Sequence, residues 1–108
     1  MAWFKVDDNF AFHPKATLAG NPALGLWVRA GSYAAHQLTD GFVPGDVARS
    51  LGTKAQAERL ITAGLWLPSG SGYEFHQWSE RQPTRKEVEE RRKAGAERLR
   101  RWREEHGR

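Results

Sequence analysis

The chain contains no cysteine. A disulfide scaffold, a cysteine-ligated zinc finger, an iron–sulfur site and a cysteine nucleophile are therefore excluded. Long hydrophobic runs are missing as well. None approaches the ~18 residues of a membrane span, and the opening Met1-Ala2-Trp3-Phe4-Lys5 lacks the basic region and apolar stretch of a signal peptide. His13, His36, His76 and His106 have no zinc-ligand spacing. No Walker-type phosphate loop or G-x-S-x-G elbow occurs. Asp7-Asp8 with His13 is the one arrangement suggestive of a metal nuclease, and an adjacent acidic pair reads more simply as a turn. No catalytic residue, metal or cofactor is expected, and the chain is read as a non-enzyme of the cytoplasm without a membrane partner.

What is present fits one folded unit. The 108 residues are 39% hydrophobic and 11% aromatic, enough for a core without staples. Lys and Arg number 17 against 13 Asp and Glu, a net charge of +4. Residues 1–84 carry seven groups of each sign, and residues 85–108 carry ten basic against six acidic groups. The whole excess therefore lies in the tail. The shift falls at Gln82-Pro83-Thr84, where proline disfavours helix before it and suits a helix start after it. This divides the chain into a domain over 1–82 and a basic C-terminal helix over 83–108.

Local patterns predict the elements. Trp3-Phe4-Lys5-Val6 reads as a short strand. Pro14 suits the first turn of a helix to about Ala19, Gly20-Asn21 breaks it, and Asn21-Pro22 opens a longer helix. Leu24, Trp27, Val28 and Leu38 mark its apolar stripe, extended by Tyr33, Ala34 and Ala35, with Gly31 as the place for a close helix crossing. Thr39 to Pro44 holds a turn and a very short strand. Asp46–Leu51 is a short helix, Gly52 a turn glycine suited to positive φ, and Thr53-x-x-Gln56 a capping box opening another helix. That helix buries Ala57, Leu60, Ile61 and Gly64. Leu65-Trp66-Leu67 and Tyr73 to Trp78, separated by Pro68 to Gly72, read as a hairpin. In the tail, Thr84-x-x-Glu87 is a second capping box, Val88, Gly95, Leu99 and Trp102 form a narrow stripe, and Glu87/Arg91, Glu89/Lys93 and Glu97/Arg101 are spaced as ion pairs. The expected class is α+β, mainly α: a winged helix-turn-helix with a small β-wing and an extra basic C-terminal helix.

The run Asp46 to Trp66, with alanine in its first helix and glycine four residues later, matches the helix-turn-helix pattern. Gly64-Leu65-Trp66, Gly72 to Trp78 and Gln82 resemble the wing of small winged-helix proteins from phages of actinobacteria. The opening Trp3 to Asp8 and the stretch Leu38 to Pro44 are similar to that group too. The group includes N-terminal domains of phage replication-initiation or replisome-organiser proteins. The resemblance covers nearly all of residues 1–84 and implies double-stranded DNA as partner, in the cytoplasm of a bacterial host. Such replication proteins often continue into a second domain, whereas the sequence here ends with one basic helix.

If the second helix of the motif enters a major groove, Thr53 and Lys54 are placed for phosphates, Gln56 for adenine and Arg59 for guanine, with Thr62 and Arg49 beside them. The motif from Asp46 to Leu65 nets only +1, thin for a domain acting alone. Arg91, Arg92, Arg98 and Arg101 of the tail are the candidates to supply the remaining phosphate contacts. The alternative is that the tail pairs with another copy, or docks a replisome or host protein as an adaptor without base-specific contact. Among the tryptophans, Trp27 and Trp66 are expected in the core, Trp78 over the sheet, and only Trp102 exposed.

Overall fold

Alanine recurs at 16, 19, 23, 30 and 34, the spacing of one helix face, and all five are buried. They belong to α1, Pro14–Gln37, which bends at Gly20 (φ 79°, ψ 161°), a left-handed conformation that glycine takes without side-chain strain. The expected break is therefore real, and Pro22 lies just past it. The stripe itself differs from expectation. Leu26, Trp27 and the alanines face inward while Val28 is 48% exposed, because 3.6 residues per turn carry position 28 round the helix, away from the side shared by 23, 26, 27, 30 and 34.

The computed structural model describes residues 3–107. After a single 3-10 turn at Phe10–Phe12 and α1 come β1 (Phe42–Pro44), α2 (Gly45–Leu51), α3 (Lys54–Thr62), β2 (Trp66–Ser69), β3 (Gly72–Phe75), α4 (Trp78–Arg81) and α5 (Arg85–His106). The fold is mainly helical with one small antiparallel sheet, in the order β1-β3-β2. Helices α2 and α3 pack against α1 on one side and the sheet on the other.

Register follows from burial. Trp66 lies opposite Phe75 and Val43 opposite Tyr73, so these four side chains share the inner face. Leu67 and Phe42 both pair with Glu74 on the outer face. Pro44 and Pro68 lie on the two outer strands, one position along from hydrogen-bonded pairs, so each places its missing N–H on the open edge. The hairpin is tighter than its composition suggests. Strand pairing runs through Pro68-Ser69 and Gly72, leaving Gly70-Ser71 as the turn. Its second strand ends at Phe75: Gln77 turns left-handed (φ 58°), and Trp78 begins α4 instead of continuing the strand.

Rings from distant parts of the chain meet in one cluster. Trp27 stacks on Phe10 at 4.6 Å and meets the edge of Phe4 at 4.9 Å, while Phe75 lies 5.2 Å from Trp78 and 5.7 Å from Trp66. Each such pair adds about 0.5–1.5 kcal/mol beyond area burial. Trp66 is fully buried, and its Nε1–H has no hydrogen-bond partner among the described residues, so the ring contributes through packing alone.

The N-terminal arm departs from the predicted strand. Residues 3–7 form no strand and pair with none. Instead the Gln82 side chain takes the place of a neighbouring strand: Lys5 N–H donates to Gln82 Oε1 at 2.8 Å, and Gln82 Nε2 donates to the Lys5 carbonyl at 2.6 Å. This inserts Phe4 over Gly31, where any Cβ would collide with its ring, so Gly31 makes room for an aromatic side chain and not for a helix crossing. Trp3 stays 70% exposed, a second exposed tryptophan beside Trp102. Asp7-Asp8 does form a turn, the Asp7 carboxylate accepting the Asn9 N–H at 2.8 Å.

Helix α5 starts where Thr84 Oγ1 accepts the Glu87 N–H at 3.2 Å and Arg85 N–H donates to Asp40 Oδ1 at 2.6 Å. The second capping box is half formed, since Glu87 takes the Thr84 hydroxyl proton instead of reaching the Thr84 backbone N–H. Val88 is its one buried residue, and the helix then runs on exposed. The expected pairs of Glu87, Glu89 and Glu97 with residues four places on do not form. Glu89 pairs with Arg85 before it at 2.9 Å, and Arg100 approaches Glu104 at 4.0 Å. At exposed positions one partner is worth little more than another, and Glu87 is already occupied by the cap.

Gln82 and Asp7 generate two expectations. Gln82→Ala strands the Lys5 amide groups and is expected to cost about 1–3 kcal/mol, read as a lowered urea midpoint. Asp7 is held below the ordinary aspartate range, chiefly by the Asn9 N–H, with smaller contributions from Asp8 and the Arg81 charge 3.5 Å away. Its stabilising effect is thus present above the unfolded-state value and lost as pH falls through the lower folded one. An NMR titration should place Asp7 below about 3.9, and Asn9→Pro, which removes that N–H, should raise it.

Candidate nucleic-acid interface

Helix α3 is built for presentation. Thr53 Oγ1 accepts the Gln56 N–H at 3.1 Å and Gln56 Oε1 accepts the Thr53 N–H at 2.9 Å, completing the capping box read from the sequence. Ala57, Leu60 and Ala63 face the core, with Ile61 packed at its margin. Lys54, Ala55, Glu58, Arg59 and Thr62 are exposed on the other face. None of Lys54, Glu58, Arg59 and Thr62 uses its side chain in a hydrogen bond or ion pair among the described residues.

The turn between α2 and α3 does not need a left-handed glycine. Gly52 has φ −164°, which any residue adopts. Its requirement is space: a Cβ there would sit 2.5 Å from Gln56 Oε1 and 3.1 Å from Leu26, so a side chain would push against the cap and the core at once.

Two cations of α1 hold this motif in place, and no sequence pattern points to either. Arg29 donates to the Leu51 carbonyl at the end of α2 (3.0 Å), and Lys15 to the Gly64 carbonyl just past α3 (3.3 Å). Each places positive charge at a helix C-terminus, where unpaired carbonyls concentrate negative potential. Local spacing misses them because their partners lie 22 and 49 residues away.

The sequence-derived candidates fall into three situations. Lys54, Arg59 and Thr62 lie free on the exposed side of α3, with Glu58 between Lys54 and Thr62, and Arg49 is exposed on α2. Thr53 and Gln56 are engaged in the cap, so a base contact by the Gln56 carbonyl would require opening the box. Arg91, Arg92, Arg98 and Arg101 are exposed on α5 and make no ion pair among the described residues. The α5 set does not join the α3 set. The base of α5 is fixed to Asp40 at the far end of α1, and the two helices share no substantial packing. No group of three metal-ligating side chains is assembled among the described residues, Asp7, Asp8 and His13 included. No helix among them is long and apolar enough to cross a membrane.

No known protein family, curated protein or solved structure matches this chain.

The cap gives a direct test of how α3 is held. Thr53→Ala is expected to cost about 1 kcal/mol of stability, measured by urea unfolding with unchanged slope. Thr53→Ser should retain most of it.

Proposed function

We propose that this chain is a winged helix-turn-helix protein that binds double-stranded DNA, with α3 as the recognition helix and the β2–β3 hairpin as the wing. The observation that carries the reading is the exposed side of α3, where Lys54, Arg59 and Thr62 are uncommitted beside Glu58, on a helix whose opposite face is packed on α1. The element order, a helix and short strand, two helices and then a hairpin on the same sheet, supports it. Lys54 and Arg49 hold phosphates, Thr53 adds a phosphate contact, and Arg59 reads a guanine edge. Gln56 contributes only where adenine recognition compensates for opening its cap. Arg91, Arg92, Arg98 and Arg101 add electrostatic grip that the nearly neutral motif lacks. The setting, phage or prophage replication initiation or transcriptional control, rests on the resemblance described from the sequence.

A second reading has its own support. Leu99 and Trp102 are 49% and 57% exposed on α5, on one side of the helix, which suits docking to a replisome or host protein or to a second copy. In that case the chain is an adaptor and α3 makes no base-specific contact.

The test is fluorescence anisotropy with duplexes selected from a random pool, using the full chain throughout. Arg59→Ala should cost about 1–3 kcal/mol on the preferred site and flatten discrimination at one base pair. Replacing Arg91, Arg92, Arg98 and Arg101 together by glutamine should weaken all duplexes alike, and should shrink the salt slope by about 0.9 for each phosphate no longer neutralised. If selection yields no preferred duplex and Arg59→Ala changes nothing, the adaptor reading replaces this one.

A further inference from the structure

Between the N-terminal arm and the end of β3 lies a cleft of about 240 Å³, partly open to solvent, none of whose lining residues is a proposed DNA contact. Its apolar lining includes Phe4, Phe10, Trp27, Phe75 and Trp78. We propose that this cleft binds a small aromatic anion, one or two fused rings bearing a single acidic group.

Size sets the ring count. An apolar cavity of ~150 Å³ accepts benzene, so the larger cleft has room for a fused pair or for one ring with its substituent. The lining sets the shape, because aromatic walls offer faces and edges that favour a flat guest over a branched one. Phe10 and Trp27, stacked on one another, line one part of the cleft.

Charge sets the sign. Lys5, Lys15 and Arg81 line the cleft, with His13 and His76, and Asp7 is the only acidic residue among the lining side chains. The Asp7 carboxylate already faces Arg81 at 3.5 Å and accepts the Asn9 N–H, so it leaves the two lysines uncompensated. Lys15 is half-buried and spends one donor on a long 3.3 Å bond to the Gly64 carbonyl. An ammonium has three donors, so an acid in the cleft would gain a partner without that bond being broken. The wall carrying Phe4 and Lys5 is also fixed in advance, because Gln82 pins the Lys5 backbone on both sides. Little ordering is left for the ligand to drive.

The experiment is an NMR titration of the nitrogen-labelled full chain with naphthoate, followed at the tryptophan Nε1–H signals. Trp27 and Trp78 line the cleft, and Trp102 on α5 is the internal control. Saturable shifts are expected at Trp27 and Trp78 and none at Trp102. Neutral naphthalenemethanol, with the same rings, should bind about tenfold more weakly. Lys15→Met and Arg81→Gln should each lower naphthoate affinity several-fold and leave the alcohol unaffected. Arg81 is exposed, so its variant keeps the test decisive if Lys15→Met disturbs α1. Equal affinity for acid and alcohol, shifts at Trp102 as large as at Trp27, or no saturation at millimolar naphthoate would each overturn the proposal. None of these outcomes bears on DNA binding by α3.

Discussion

Trp27 is where the chain is tied together. Its ring is met by Phe10 from the turn before α1, by Phe4 from the arm, and by Phe75 from the central strand. The same helix presents alanines toward α3 and the sheet, so large and small side chains alternate along a single element. Close approach where the face is alanine, and a bulky cluster where it is tryptophan, fix the tilt of everything packed on α1. The arm and the β3–α4 turn reach their positions because the cluster needs Phe4 and Trp78 to close it.

From this frame the motif inherits a defined orientation. Helices α2 and α3 are packed at one face by apolar side chains, and their C-terminal carbonyls are met by Arg29 and Lys15 of the same supporting helix. The exposed side of α3 is therefore held in place by one supporting helix. Helix α5 is the opposite case: 22 residues, roughly 33 Å at 1.5 Å per residue, secured near one end only. Much of the 59 Å long dimension of the molecule belongs to that projection.

Most elements are legible because their signals are local. Capping at Thr53 and Thr84, the break at Gly20, and a strand at Trp66-Leu67 need only neighbours within four residues. The departures share the opposite property. The arm carries strand-like residues, but its hydrogen-bond partner is a side chain 77 positions away, so composition cannot distinguish it from a strand. Val28 has the right chemistry for the core, yet the buried side of α1 is centred on its alanines with Leu26 and Trp27, and position 28 falls outside it. Gly52 stands out in the sequence as a turn residue, but its reason is crowding, by the capping Gln56 four residues on and by Leu26 of α1, and the second of these leaves no mark in the local pattern. That Lys54, Arg59 and Thr62 lie on the exposed side of α3 follows from helical spacing. That Gln56 serves its own helix first is implied by the capping box, though its competition with base contact emerges only from the geometry.

Pro44 and Pro68 carry a consequence for how copies of this chain can associate. A three-stranded sheet has two free margins, and each is a template on which a foreign strand can add. Here an imino acid interrupts each margin where a donor would be needed, and β1 is only three residues long. Strand exchange and edge-to-edge stacking are disfavoured on both sides. Crowding at high concentration therefore acts on helical surfaces, above all the projecting α5, and leaves the sheet closed to growth.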